Sequence, residues 1–159
     1  MENYEGPEDV YIRYLRDENK KERQKKEGTV CVVCDRYGKQ YKRMLHSTPG
    51  RLLIALLQLS DGDIMLEFHL KIIFRQARYI GGGSELCKLA YWLLAVQGHD
   101  RGFWKITQHG VQFAKGYVSI PKYVVIYNQV CLGYEDEIHT VSICDVLGKN
   151  FNYEELMSR

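Results

Sequence analysis

Two cysteines, Cys31 and Cys34, stand in a Cys-x-x-Cys spacing with Gly38 shortly after them. This pattern is typical of a strand, a tight knuckle and a returning strand, and it lets two thiolates bind one zinc ion. A structural zinc site needs four ligands, and the chain has no second Cys-x-x-Cys. The other ligands would come from His46, His69, Cys87, His99, His109, Cys131, His139 or Cys144. Zinc at Cys31 and Cys34 is therefore one hypothesis. The alternatives are two reduced thiols in a hairpin, or a degenerate zinc ribbon that binds no metal.

Basic residues are concentrated in two segments that contain no acid, although the net charge of the chain is only +2. The first segment is 36–51 and the second is 101–123. Lysine and arginine side chains bind DNA phosphates, so these segments predict contacts with a duplex. The predicted phosphate contacts are Arg36, Lys39, Lys42, Arg43 and Lys105. Any preference for base sequence would come from Arg75, Gln76 or Arg78.

A catalytic site is not predicted, because the polar residues show no converging pattern. The five histidines lack paired spacing, and no serine or cysteine stands in a nucleophile elbow. Gly81–Gly83 is not followed by the Lys-Ser/Thr pair of a phosphate-binding loop. The sequence therefore favours a protein that is not an enzyme.

The cellular compartment is predicted from the cysteines and the N-terminal residues. Five cysteines at irregular spacings favour a reducing cytoplasm. The acidic start of the sequence lacks the apolar region of a signal peptide. No run reaches the ~18 apolar residues of a membrane span, so no membrane partner is expected.

The stretch Ser84–Pro121 contains the elements around which the fold is predicted to form. Leucines at helical spacing predict an amphipathic helix from Ser84 to Val96, ended at Gly98. Phe103–Thr107 alternates like a strand, and Thr107 is placed to cap a helix over 108–115 that Gly116 ends. Helix, turn, strand, Thr-x-x-Gly and helix is an order typical of winged-helix domains.

The remaining elements complete an α+β fold with a winged-helix-like core. Ser47 or Thr48 is predicted to be the N-cap of a helix with Pro49 in its first turn, while Ile64–Phe74 is ambiguous between strand and helix. The predicted parts are an N-terminal helix or arm (1–28), the Cys-x-x-Cys knuckle (29–45), the winged-helix-like core (46–116) and a β-hairpin with a short helix packed on that core (117–159). The predicted core residues are Leu53, Leu56, Leu57, Leu86, Leu89, Leu93, Trp104, Ile106 and Phe113.

With these motifs assembled, the chain resembles a family of small bacterial and phage proteins of unassigned function. The resemblance covers roughly residues 30–158. It rests on the Cys-x-x-Cys knuckle with 41–45, on 88–92, on 102–107 with Gly110 and Phe113, and on motifs from Ile120–Pro121 to Met157. Similar sequences often carry proline where this chain has Val32, and asparagine where it has His46. The resemblance implies a Cys-x-x-Cys knuckle and a winged-helix-like core, but it implies no activity.

Two functions remain open at the level of sequence. The first is a non-enzymatic, DNA-associated winged-helix protein, such as a phage or bacterial regulator. The second is a phage-encoded module that binds a host protein, since tyrosines in the strands near the C-terminus suit protein contacts. The predicted helix after Ser84 weakens the first function, because Lys88 is its only cation and it has no Asn, Gln or Arg before Val96 to contact base edges.

Overall fold

A computed structural model describes residues 28–30, 37–127, 130–135 and 138–159. Within these ranges the chain is α+β, with six helices and several small sheets. In chain order the elements are β1 (Thr29–Val30), β2 (Tyr37–Gly38), β3 (Gln40–Met44), α1 (Ser47–Ser60), β4 (Phe68–His69), α2 (Leu70–Ala77), α3 (Ser84–Ala90), β5 (Ala95–Gln97), β6 (Phe103–Ile106), α4 (Gln108–Ala114), β7 (Ile120–Pro121), β8 (Tyr123–Tyr127), β9 (Val130–Tyr134), β10 (Thr140–Val141), α5 (Ile143–Leu147) and α6 (Tyr153–Met157).

The described residues fall into two compact units. The smaller unit comprises 125–133 and the described part of 1–43, and the larger unit comprises 44–124 with the described part of 134–159. In the smaller unit, β1 and β2 pair antiparallel. A separate three-stranded sheet has the order β3–β8–β9. Cys31 and Cys34 of the predicted knuckle (29–45) lie outside the described residues, as does the predicted N-terminal helix or arm (1–28) except for Gly28.

Helix α1 is the centre of the larger unit. Every residue from Leu52 to Leu57 is buried, and the other five described helices and β6 all pack against α1. Burying a leucine side chain stabilises the fold by about 1.5–3 kcal/mol, so this helix carries much of the core. The prediction that Ser47 or Thr48 is the N-cap is wrong, because His46 has the extended N-cap conformation and its side chain makes no capping hydrogen bond.

The larger unit contains a three-stranded antiparallel sheet with the order β4–β6–β5, and β6 packs against α1. Phe68 pairs with Trp104 on one edge of β6, and Val96 pairs with Lys105 on the other. The ambiguous segment Ile64–Phe74 therefore contains both predicted structures, a short strand followed directly by a helix. Along the chain the order is helix, strand, helix, helix, strand, strand.

The prediction of one helix from Ser84 to Val96 is wrong. Helix α3 ends at Ala90, and β5 follows after one further turn. Leu93 has a φ of 55°, the left-handed conformation of the residue that terminates a helix. The N–H of Leu93 donates to Ala90 O and the N–H of Leu94 donates to Leu89 O, which together form a Schellman motif. Leu93 is therefore 62% exposed and outside the core, whereas the eight other predicted core residues are buried.

Thr107 and Gly110 join helix α4 to the end of α3. The Thr107 hydroxyl donates to Leu94 O and accepts from the N–H of Gly110, as the predicted cap requires. A Cβ at Gly110 would lie 2.0 Å from Leu94 O, so only glycine permits this contact between backbones. Gly116, with a φ of 77°, follows α4 as predicted.

The described C-terminal residues pack on α1. Strands β7 and β10 pair antiparallel, and α5 and α6 both contact α1. Ser142 and Asp145 form a capping box at the start of α5, a short helix within the predicted segment 117–159. Hydrogen bonds from the backbone N–H and hydroxyl of Ser142 lower the pKa of Asp145.

Candidate nucleic-acid interface

Helix α2 presents a cationic face to solvent. Ile73 and Ala77 are buried, while Lys71 and Arg75, four residues apart, are exposed on the opposite side. Arg78 follows the helix directly and is also exposed. No acidic residue occurs from Phe68 to Ser84, so no carboxylate of this segment offsets these three charges. Lys71, Arg75 and Arg78 are called the α2 cationic face below.

Contacts at both ends fix the position of α2. At the start, the Nδ1 atom of His69 accepts a hydrogen bond from the N–H of Lys71 at 3.3 Å. At the end, Arg78 takes a left-handed φ of 51° and completes a Schellman motif with Arg75 and Phe74. The α2 cationic face therefore lies on a helix that is capped at both ends.

Arg51 on α1 supports the end of α2. Its Nη2 atom donates to Arg78 O at 3.5 Å, and its guanidinium carbon lies 4.5 Å from the ring centre of Phe151. Burial, and then the positive charge of Arg159, lower the pKa of Arg51. Arginine titrates so far above neutral pH that Arg51 remains charged. Its charge thus adds to the positive potential around Arg78.

Helix α3, which follows α2, offers little chemistry for reading bases. Its single cation, Lys88, forms an ion pair with Glu85 at 2.5 Å. The exposed residues of the helix are Ser84 and Cys87. Specific contacts with base edges are made mostly by Arg, Asn and Gln side chains, and α3 has none. The α2 cationic face, followed by a helix without base-reading side chains, therefore suits contact with phosphates rather than recognition of base sequence.

Lys105 takes part in an ion-pair network within the protein. Its Nζ atom lies 3.9 Å from Oε1 of Glu67, and the same carboxylate accepts hydrogen bonds from the backbone N–H and ring of His99. His99 lies in the loop 98–102 between β5 and β6. The predicted phosphate contact of Lys105 would thus compete with Glu67.

Gln76 also has an internal partner. Its Nε2 atom donates to Oε1 of Gln58 on α1 at 3.1 Å, so this donor is already used. The structure therefore places Arg75, Gln76 and Arg78 next to one another, but Gln76 points its amide toward α1.

The other predicted nucleic-acid contacts belong to the smaller unit. Lys39, Lys42 and Arg43 are exposed on or beside β3, and Arg43 lies 5.5 Å from the ring centre of Tyr41. Arg36 lies outside the described residues. A common surface for the residues of 36–43 and Lys105 stays a prediction.

Sequence reasoning missed the roles of Arg51, Glu67 and Arg159. Each depends on a partner far along the chain: Arg51 and Arg78 are 27 residues apart, and Glu67 and His99 are 32 apart. The local spacing of residues in the sequence does not predict such contacts. A possible signal is the acid-free segment itself, since charges that are not offset locally must face solvent or a distant partner.

Neither a metal site nor a membrane helix is found in the part of the chain that the structure describes. There, no three His, Cys, Asp or Glu side chains come together to hold a metal ion. Within the same ranges no helix is long and apolar enough to cross a membrane. Zinc at Cys31 and Cys34 stays a prediction, because both residues lie outside these ranges.

Comparison of the chain with protein-family models, with curated proteins and with solved structures gives no match.

Proposed function

We propose that this protein is a non-enzymatic, DNA-associated winged-helix protein that holds the phosphate backbone of a duplex through the α2 cationic face. The observation that carries the proposal is the set of exposed charges of Lys71, Arg75 and Arg78, on a helix capped at both ends and with no acid in its segment. Such a surface supplies the electrostatic part of DNA binding, which does not depend on sequence.

The order of elements supports the winged-helix part of the proposal. In a winged helix, three helices pack beside a three-stranded antiparallel sheet, and a hairpin follows the third helix. Under this proposal α1, α2 and α3 would fill the helical positions; the sheet has the order β4–β6–β5, with the β5–β6 hairpin last in the chain. In helix-turn-helix proteins the helix before the recognition helix crosses the DNA backbone, which is the position that α2 would take.

The composition of α3 limits the proposal to binding without strong sequence preference. Arginine, asparagine and glutamine make the usual bidentate contacts with bases, and they are absent from Ser84–Ala90. Two unrelated duplexes of equal length should therefore bind with affinities within about threefold, since phosphate contacts carry no sequence information directly. A zinc ion at Cys31 and Cys34 and a cytoplasmic location remain parts of this proposal.

A second function, a phage-encoded module that binds a host protein, is favoured by one apolar segment. Ile64, Met65 and Leu66 are consecutive in the turn between α1 and β4, and Met65 is 74% exposed. Exposed apolar side chains in a cluster are typical of protein-binding surfaces.

One experiment separates the two functions. Fluorescence anisotropy with a labelled duplex, at low and at physiological salt, should show binding that weakens steeply with salt. No binding at tens of micromolar protein in low salt would favour the protein-binding function. A pull-down from lysate with and without nuclease would then show whether any captured protein depends on nucleic acid.

A further inference from the structure

Three arginine side chains line one cavity at the junction of α1, α2 and α6. The cavity has a volume of about 260 Å³. Arg75 on α2, Arg78 directly after α2 and Arg159 just after α6 line the cavity. Its remaining lining comprises Leu59, Ile72 and Gln76. Three arginines and two apolar residues therefore line the cavity.

The positive charge at this junction exceeds the negative charge that offsets it. Arg159 forms an ion pair with Glu155 at 2.6 Å, and no other described carboxylate pairs with Arg51, Arg75, Arg78 or Arg159. Arg51 lies close enough to Arg159 for the charge of one to be felt by the other. Arg51 does not itself line the cavity; its Nε atom is buried and lacks a hydrogen-bond partner among the described residues. Like charges held together in this way favour an anion.

Hydrogen bonds between the helices hold the walls of the cavity in place. Gln76 on α2 donates to Gln58 on α1, and Gln58 in turn donates to Leu156 O on α6 at 2.6 Å. Arg51 adds the hydrogen bond to Arg78 O. An anion would thus enter a site whose framework already exists, which lowers the ordering cost of binding.

We propose that this junction binds a phosphate dianion, either free phosphate or the phosphate of a small organic monoester. The arginines reach the cavity from two helices, and a tetrahedral phosphate offers oxygens in several directions, whereas a carboxylate offers two oxygens in one plane. Leu59 and Ile72 give an organic ester an apolar surface to contact. This site does not require the protein to bind DNA.

The test uses phosphate titrations of the full chain at constant ionic strength, followed in ¹H–¹⁵N spectra at the arginine Nε–H signals. Sodium phosphate and phenyl phosphate are the two probes. Saturable shifts at Arg75, Arg78 and Arg159 are expected with either probe. Tighter binding of phenyl phosphate would identify an organic ester as the ligand class, and equal binding would identify free phosphate. Shifts that do not saturate, or that spread equally over all cationic residues, would overturn the proposal.

Two variants with opposite expected effects make the test independent of folding defects. Arg159→Gln should weaken phosphate binding at least tenfold, whereas Glu155→Gln removes the competing carboxylate and should strengthen binding severalfold. Arg101→Gln, in the exposed loop 98–102, is the matched control and should change nothing. Equal losses in Arg159→Gln and Arg101→Gln, or weaker binding in Glu155→Gln, would contradict the site. Arg159 is not part of the α2 cationic face, and the assay contains no DNA. The phosphate titration can therefore be interpreted whether or not the protein binds DNA.

Discussion

The carboxylate of Glu67 accepts two hydrogen bonds from His99, one from its backbone N–H and one from its ring Nδ1, each at 3.0 Å. Lys105 lies beside the same carboxylate. Gly98 leaves room for Glu67, since a Cβ there would lie 2.5 Å from its Oε2 atom. These contacts tether the loop 98–102, between β5 and β6, to the segment that precedes β4.

The first prediction concerns acid stability and Glu67. Hydrogen bonds from His99 lower the pKa of Glu67 below its ordinary value of 4.5. The unfolded chain then binds more protons than the folded chain, so the stabilisation is present above that value and is lost as pH falls through the folded pKa. Glu67→Gln should reduce the free energy of unfolding at neutral pH and flatten its dependence on pH in the acid range. Urea denaturation at several pH values measures this.

The control for Glu67→Gln is Glu154→Gln, because Glu154 is exposed and forms no ion pair with any described residue. Glu154→Gln should leave the pH dependence of the unfolding free energy in the acid range close to that of the wild type. Asp145 also has a lowered pKa, so some slope should remain in Glu67→Gln. If the unfolding free energy of Glu67→Gln depended on pH in the acid range as steeply as that of the wild type, the stabilising role of the His99–Glu67 hydrogen bonds would be refuted.

The second prediction tests the end of α3. Glycine lacks the Cβ that strains the left-handed conformation of Leu93, so Leu93→Gly should be more stable than Leu93→Ala by about 1 kcal/mol. In a continuous helix the order would be reversed, because alanine exceeds glycine by about 1 kcal/mol there. Thermal or urea denaturation of the two variants decides between a helix end and a helix interior at this position.

The third prediction compares two leucines of the same predicted stripe. Leu89 is fully buried, so Leu89→Ala should lower the free energy of unfolding by about 2–5 kcal/mol. Leu93 is mostly exposed, so Leu93→Ala should cost less than about 1 kcal/mol. Denaturant unfolding of both variants measures the difference. Similar costs at the two positions would mean that the side of α3 facing the core is wrongly assigned.

Much of the fold could be predicted because its signals are local. Thr107 and Ser142 cap helices within three residues of their partners, and Gly116 ends α4 with a residue suited to positive φ. The end of α3 could not be predicted, since a leucine at the left-handed position carries no such signal and Leu94 and Val96 continue the apolar pattern. Asp61, Arg78 and Leu93 all end helices in this conformation without glycine.

The candidate site was only partly predictable for a similar reason. The spacing of Lys71 and Arg75 places them on one face of a helix, which the sequence shows directly. The partners of Lys105 and Gln76 are 38 and 18 residues away, and chain spacing says nothing about such contacts. Tertiary packing therefore decides which cations remain available to a partner.

The fourth prediction concerns zinc. If Cys31 and Cys34 bind the metal, the purified protein should carry about one zinc ion per chain. Cys31→Ser with Cys34→Ser should lose the ion and lower the melting temperature, because metal binding contributes to folding free energy. Metal analysis with calorimetry measures both. Metal-free protein that melts cooperatively at the wild-type temperature would remove the zinc hypothesis.

The last prediction tests the α2 cationic face. Each neutralised phosphate contributes roughly 0.9 to the slope of log affinity against log salt concentration. Lys71→Gln with Arg75→Gln should therefore weaken binding to every duplex alike and reduce this slope by up to about two. The matched control is Lys20→Gln with Lys149→Gln, which removes the same charge from two lysines outside α2 and outside both acid-free basic segments.

The most direct measurement is the salt dependence of duplex binding, by fluorescence anisotropy, for the wild type and these two double variants. The proposed function predicts a shallower slope and weaker binding for Lys71→Gln with Arg75→Gln, while the control keeps the wild-type slope. Equal slopes for the two double variants, or no duplex binding by the wild type at low salt, would contradict it.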